Sequence, residues 1–388
     1  HAEFESAAFR EADDATYLEF NEEGYSRLYR LASTSERAEL VPVALPIDGT
    51  LVAGDARTSR VGMGVSPDGR RIAAAISGPS EVTNVWIGDL EEGDAAGPRV
   101  AEHEVHVRPA WTQLTRAAVP GVQADELASC TLARFESFDG ESVPYFTYLP
   151  GGGDTASAWP FPTVLLIHGG PEAQSRPSFN NVVQFLVAAG FAVVVPNIRG
   201  SAGYGRRYLD LDNRERRLDS TRDIAELARH LAVENEAIDG ERLAVMGASY
   251  GGFAVLSALT EYPELWKAGV DIVGISNFVT FLENTAAWRR SLRESEYGSL
   301  RDRALLERIS PINRIERITA PLLIIQGDND ERVPLSESLQ MHERLGALGR
   351  TVELMRFADE GHGVTKLANR ITAYSRVAEW LDEHLRGA

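Results

Sequence analysis

Residues 242–259, RLAVMGASYGGFAVLSAL, decide the reading of this chain. The apolar run LAVM at 243–246 has the length of a buried strand. Gly247-Ala248-Ser249-Tyr250-Gly251-Gly252 follows, and then the apolar segment FAVLSAL at 253–259, which reads as a helix. A strand that turns into a helix this quickly lifts the side chain at its apex clear of the sheet. Flanking glycines permit the strained backbone and the close helix. G-x-S-x-G in that setting marks Ser249 as a candidate nucleophile, and the helix N-terminus behind it favours negative charge nearby. The bare pattern arises by chance; the strand, the helix and the extra Gly252 give it meaning.

The surrounding sequence continues the theme. CTLARFESFDG and ESVPYFTYLP read as a hairpin, followed by the linker PGGGDTASAWPFP. PTVLLI, FAVVVP, RLAVMG, AGVDIV, APLLIIQG and TVELMRF then read as buried strands. Between them lie amphipathic segments: NNVVQFLVAAG closed by Gly190, DIAELARHLAVE, and the stretch around SESLQMHERLGALG. A last helix from about Lys366 to Leu385 is expected to bury Ile371, Tyr374, Val377, Trp380 and Leu381. Continuous apolar strands alternating with helices predict a mostly parallel, doubly wound sheet covered on both faces, the α/β-hydrolase arrangement.

A serine hydroxyl needs a base, and the base needs an orienting acid; in this fold the order is Ser, Asp or Glu, then His, each after a later strand. His362 in ADEGHG follows the strand TVELMRF and is the expected base. His1, His103 and His106 precede this half, and His230, His342 and His384 fall on helices. In GDNDERVP both Asp328 and Asp330 follow one strand; spacing from Gly327 favours Asp330, with Asp328 as a turn residue. The oxyanion of an acyl-transfer intermediate needs two N–H donors. Tyr250, after the nucleophile, and Gly170, in LLIHGGPE, are expected to supply them, with His168 shaping the latter loop.

Up to about Gly121 the texture differs. ATYLEF, SRLYRLA, ELVPVAL, RVGMGV, RRIAAAIS and NVWIGDL read as short strands, with turns at NEEG (21–24), SPDG (66–69) and EEGD (91–94). The unit at 59–90 has the layout of one β-propeller blade, or equally of an antiparallel meander. The expected division is 1–125 for this strand-rich portion and 126–388 for the hydrolase.

With 388 residues, 44% hydrophobic and 25% charged, the composition is globular and fits two domains. Fifty-seven acidic against 39 basic residues, a net charge of −18, argue against nucleic acid and anionic membrane surfaces as partners. The single Cys130 excludes an internal disulfide and a zinc thiolate cluster, and no metal or cofactor is expected. With no signal peptide and no apolar run long enough to span a bilayer, a cytoplasmic location is expected.

HGGP (168–171), NIRGSAGYG (197–205), GASYGG (247–252), GDNDERVP (327–334) and DEGHG (359–363), in this order, resemble the prolyl oligopeptidase family of serine peptidases, especially its acylaminoacyl-peptidase and dipeptidyl-peptidase branches. The resemblance covers about 130–388. It implies Ser249, Asp330 and His362 as the triad, and Gly170 and Tyr250 as oxyanion donors. Arg199 resembles a family position near the active-site loops and reads more readily as structural. The segment VGISNFVTFLENTAAWRRSL makes Phe281 and Trp288 candidates for the substrate pocket. The family also implies an N-terminal β-propeller of about seven blades, at about 40–45 residues each. The front section holds two or three, so the remaining blades are expected on a second polypeptide, the missing initiator Met suggesting a processed or truncated chain.

The expected activity is hydrolysis of short peptides through an acyl-enzyme. An esterase or amidase acting on a small acyl or aminoacyl compound is the alternative, and a non-catalytic binding module is the reading from another class. Acidic residues of the front section, Glu22 and Glu23 among them, are candidates for reading a substrate ammonium group.

Overall fold

The computed structural model describes residues 2–9, 16–33, 38–52, 62–90, 107–151, 159–285 and 287–387. Their contacts divide the chain into two compact units. The first is His1–Ser129 with Arg176–Gln184 and Gly203–Gly205; the second is Cys130–Ser175, Phe185–Ala202 and Arg206–Ala388.

The first unit contains two antiparallel sheets. β1 (Ala2–Phe9), β2 (Thr16–Glu22), β3 (Tyr25–Ser33) and β4 (Ala38–Val43) pair in sequence order. β5 (Thr50–Leu51), β7 (Arg71–Ser77), β8 (Asn84–Asp89) and β9 (Ala110–Gln113) follow one another in the second sheet, and β6 (Met63–Val65) also pairs with β7. The SPDG turn joins β6 to β7: Gly69 has φ +71 and donates its N–H to the Ser66 carbonyl at 2.8 Å. Tyr17, Leu28, Ile72 and Ile76 are among the residues of this unit's core. β1 is a strand that pattern reading passes over, because AEFESAAF places charged and small residues where alternation would need apolar ones, and its register slips between Phe4 and Ser6. The expected EEGD turn and His1, His103 and His106 lie outside the described residues.

The second unit is an eight-stranded sheet. The hairpin β10 (Thr131–Glu136) and β11 (Ser142–Tyr148) leads into β12 (Phe161–Ile167), α1 (Asn181–Ala188), β13 (Ala192–Pro196), α2 (Gly205–Leu209) and α3 (Arg217–Glu234). Then come β14 (Ile238–Ala248), α4 (Tyr250–Glu261), β15 (Ala268–Ile272), α5 (Phe278–Asn284), α6 (Ala287–Tyr297) and α7 (Arg303–Ile309). β16 (Leu322–Gly327), α8 (Leu335–Ala347), β17 (Val352–Phe357) and α9 (Leu367–Leu385) complete it. The sheet order is β10-β11-β13-β12-β14-β15-β16-β17. β10, β11 and β13 pair antiparallel along their edge, and β13-β12-β14-β15-β16-β17 are parallel throughout. This is the α/β-hydrolase fold. Every residue of β13, β15 and β16 is buried, which explains why these strands read as unbroken apolar runs.

Two expectations need correction. α3 begins at Arg217, six residues before DIAELARH, and the added turn carries buried Arg217 and Ser220. On α9, Ile371 is 60% exposed; Ala373, Val377, Trp380, Leu381 and Leu385 are buried instead. Ile371 precedes Val377 by six residues, and at 3.6 residues per turn it points about 120° away from it. No described helix is both long and apolar enough to cross a membrane.

Candidate active site

In a sheet of this kind, binding crevices open at the carboxyl ends of the strands. Four loops at those ends bring the candidate residues together: 168–171 after β12, Ser249 after β14, 328–333 after β16 and 358–363 after β17. Ser249 stands between strand and helix with φ 60° and ψ −116°. A non-glycine residue in this region carries about 1–3 kcal/mol of backbone strain. Hydrogen bonds on both sides hold it: its N–H donates to the Ile272 carbonyl at 2.8 Å, and its carbonyl accepts from the Phe253 N–H at 3.1 Å. The glycines have a steric reason. A Cβ on Gly247 would fall 2.5 Å from the Gly251 carbonyl oxygen, and one on Gly251 would fall 2.2 Å from that of Ile167.

His362 reaches Ser249 from the loop after β17. Its Nε2 lies 2.9 Å from Ser249 Oγ and its Nδ1 lies 2.8 Å from Asp330 Oδ2. A carboxylate can only accept, so Nδ1 carries the proton and Nε2 is left to accept from the serine hydroxyl. Asp330 is itself fixed: Oδ1 accepts the N–H groups of Arg332 and Val333, at 2.7 and 3.0 Å. Asp328 faces elsewhere, held by the two nitrogens of Arg356 at 3.0 and 2.9 Å. Chemically, the set is a hydroxyl poised to lose a proton to an imidazole whose tautomer a buried carboxylate enforces.

Gly169 and Gly170 line the cavity in front of Ser249, and Gly170 has φ 140°. Its carbonyl accepts a long hydrogen bond from Arg293 Nη1 at 3.4 Å. His168 turns away: Nδ1 donates to the Gly169 carbonyl at 2.8 Å, Nε2 lies 2.8 Å from Ser201 Oγ, and burial pushes its pKa down, keeping it neutral. Tyr250 is the first residue of α4, so its N–H is among the helix's terminal donors without an intrahelical acceptor. The Tyr250 side chain is buried and anchored. Its hydroxyl meets Asp212 Oδ2 at 2.8 Å, Ser220 Oγ at 2.9 Å and Arg217 Nη1 at 3.1 Å. Arg217 is fully buried and ion-paired with Asp212. Burial, then the Asp212 charge, push the Tyr250 phenol well up, so it keeps its proton. This anchor went unread because LDLDNRERR at 209–217 has the look of a solvated loop.

A cavity of about 450 Å³ opens beside Ser249. Val273, Ile275, Phe281, Tyr297 and Val333 give it apolar walls, and Arg289, Arg293 and Arg332 stand among them. The loop carrying Ile275 is tied down by buried Glu337, which accepts from Ser276 Oγ and from the N–H groups of Ser276 and Asn277. Asn277 then caps α5, which brings Phe281 in. Phe281 thus stands on the wall of the cavity beside Ser249. Trp288 is 81% exposed and lines a neighbouring cavity, not the one beside Ser249, because α6 points it outward. Arg199 is also absent from that wall. It is buried with its donors spent on Asp223 and Asp139 at 2.8–3.0 Å, so it ties the loop after β13 to α3 and the β10–β11 turn. The arginines at the cavity went unread, since RR and R in AAWRRSLRE resemble the exposed side of any surface helix. In the first unit, Glu22 accepts from the Tyr29 hydroxyl at 2.7 Å.

A family model described as the prolyl oligopeptidase family matches residues 177–388. Dipeptidyl aminopeptidase BIII of Pseudoxanthomonas mexicana is 35% identical over 275 residues, covering 68% of this chain and 39% of the relative. Acylamino-acid-releasing enzyme 1 of Oryza sativa subsp. japonica is 26% identical over 257 residues, 64% of this chain and 33% of the relative. Among solved structures, a puromycin-hydrolyzing peptidase of Mycobacterium tuberculosis superposes with a TM-score of 0.81 at 22% identity, over 99% of this chain and 55% of that one. The chain therefore spans about a third to a half of the length of the curated relatives it matches. With the family's motifs in order and its model matched over more than half the sequence, the chain belongs to the prolyl oligopeptidase family.

Proposed function

We propose that this protein is a serine peptidase acting on short peptides and releasing residues from their N-terminal side. The observation that carries the reading is the hydrogen-bonded line from Ser249 through His362 to Asp330, at 2.9 and 2.8 Å, with the serine on a strained apex. The substrate carbonyl sits beside Ser249, its oxygen facing the Gly170 and Tyr250 N–H groups. Ser249 Oγ attacks the carbonyl carbon while His362 Nε2 takes the hydroxyl proton, and Asp330 stabilises the imidazolium. Collapse of the tetrahedral intermediate breaks the C–N bond, with His362 returning the proton to the leaving amine. Water then hydrolyses the acyl-enzyme by the same route in reverse. The apolar walls of the cavity, Phe281 among them, take the side chain on the acyl side.

The names of the relatives support the substrate class: one is a dipeptidyl aminopeptidase and another an acylamino-acid-releasing enzyme. The two sheets of the first unit, each of antiparallel strands, support the reading of residues 1–125 as part of a β-propeller, with 126–388 as the catalytic domain. A chain with one cysteine has no need of an oxidising compartment, which suits a cytoplasmic location.

The test is two-fold. A fluorophosphonate probe should label Ser249 in the folded protein, and Ser249→Ala should abolish labelling. Aminoacyl anilides should then be turned over at rates comparable with or above those of p-nitrophenyl esters; a large preference for the ester would replace the peptidase with an esterase.

A further inference from the structure

A second cavity, of about 660 Å³, adjoins the one at Ser249 and is lined by Trp288, Arg289, Asn329, Glu331, Arg332 and His362. Arg289, Arg332 and His362 line both cavities, so two guanidinium groups stand at the junction, on the imidazole side of the scissile position. Their neighbour Arg293 is committed: it pairs with Glu296 at 2.6 Å and reaches the Gly170 carbonyl. Among the described residues, neither Arg289 nor Arg332 has a carboxylate within ion-pair distance. The Arg289 side chain leans toward the Trp288 ring, its guanidinium carbon 5.6 Å from the centroid.

The charge balance favours an anion. Glu331 is the acidic side chain on the second cavity, against two guanidinium groups. Burial, then Arg293 and Arg332, press the Arg289 pKa below the usual arginine value, and the more distant Asp330 and Glu296 carboxylates only partly offset them. An arginine beside two like charges, with no carboxylate in ion-pair contact among the described residues, gains when a ligand brings one. Guanidinium matches a carboxylate in two parallel hydrogen bonds, and the exposed Trp288 face beside it suits the flat or apolar part of a small peptide. His362, whose Nε2 lies 2.9 Å from Ser249 Oγ, lines both cavities, and at roughly 3.3–3.6 Å per peptide residue this places a group bound at the junction about one or two residues from the bond at Ser249.

We propose that Arg289, with Arg332 opposite, forms a subsite for a carboxylate of a short peptide, placed one or two residues from the bond cleaved. The inference rests on the peptidase reading above. Two sources share this chemistry: the free C-terminus of a leaving dipeptide or single residue, and an acidic side chain on the acyl part. Either makes small, unamidated or acidic peptides the preferred substrates.

The test uses the full chain and reads how well a ligand protects Ser249 from fluorophosphonate labelling. One arm compares dipeptides as free acids with the same dipeptides as C-terminal amides. The other compares N-blocked, amidated peptides carrying Glu with those carrying Gln. In one arm, and it names the source, the carboxylate form should protect at about tenfold lower concentration, the effect of about 1.4 kcal/mol. Arg289→Gln should narrow the gap to about twofold, and Arg289→Lys, which keeps the charge but not the paired donors, should keep only part of it. Equal protection in both arms by the unaltered protein overturns the proposal without any variant, as does a gap that Arg289→Gln leaves intact. Labelling needs a reactive serine only. A protein that labels and is protected as described, yet cleaves no peptide, refutes the peptidase reading and leaves the carboxylate subsite standing; one that never labels sinks both.

Discussion

Asp271 is a carboxyl group in a place built for none. It lies on β15 opposite Gly247, is 1% exposed, and among the described residues neither of its oxygens has a hydrogen-bond partner of good geometry. Backbone surrounds it: a Cβ on Gly252 or Gly274 would come within 2.3 or 2.2 Å of Oδ1. Burial pushes its pKa up from 3.8 to about 7, and the nearby Gly274 N–H pulls only weakly the other way. The consequence for stability has a definite sign. Between about pH 4 and pH 7 the folded chain holds a proton here that the unfolded chain has released, so stability falls as pH rises through that window. A gap of about three pH units at 1.36 kcal/mol each makes the loss of the order of 4 kcal/mol above pH 7. Asp271→Asn keeps the shape and removes the charge. Its unmatched amide costs the same at every pH, so the variant's stability relative to the parent should rise by that amount between pH 4 and pH 8.5. Urea unfolding at several pH values measures the difference directly. If the two curves run parallel across the window, Asp271 is ionised at no cost and the account of its surroundings is wrong.

Other perturbations address the site. Asp330→Asn removes the acceptor that fixes the His362 tautomer and should lower kcat by about 10⁴, with little change in melting temperature; a loss under tenfold would show that the His362 ring is oriented by something else. Tyr250→Phe deletes a hydroxyl bonded to Asp212, Arg217 and Ser220. It should cost about 2 kcal/mol and about 4–8 °C in Tm while leaving the backbone N–H in place. Calorimetry showing a shift below 1 °C would mean the network does not anchor the helix start. Gly251→Ala drives a methyl against the Ile167 carbonyl at 2.2 Å and should yield insoluble or unlabelled protein; normal labelling would show that α4 can back away from β12. Phe281→Ala should raise KM for peptides with a large apolar residue before the cleaved bond and spare those with alanine there, as a series of anilides would reveal.

What the sequence makes legible here is what short-range chemistry determines. The elbow at Ser249 could be read because a buried strand, three glycines and an apolar helix are contiguous, and each constrains the same few backbone angles. Asp330 and His362 could be read because the fold delivers its loops in chain order to one edge of the sheet, so that position after a strand is itself spatial information. The Tyr250 anchor had no such signal. An arginine with 0% exposure looks in sequence like any surface arginine, and the Asp212 carboxylate, the Tyr250 hydroxyl and the Glu296 carbonyl around its guanidinium make its burial tolerable. The same holds for α6, where WRRSLRES is amphipathic on any reading. Which side faces the nucleophile is settled by Tyr297, locked among Phe278 and Phe281 at ring distances of 4.7 and 6.2 Å, and that packing turns Arg289 and Arg293 to the cavity and Trp288 outward. A motif locates the bond-breaking atoms because chemistry allows them few arrangements; the groups that choose a substrate are placed by tertiary packing, so they become visible only when the helices are in position.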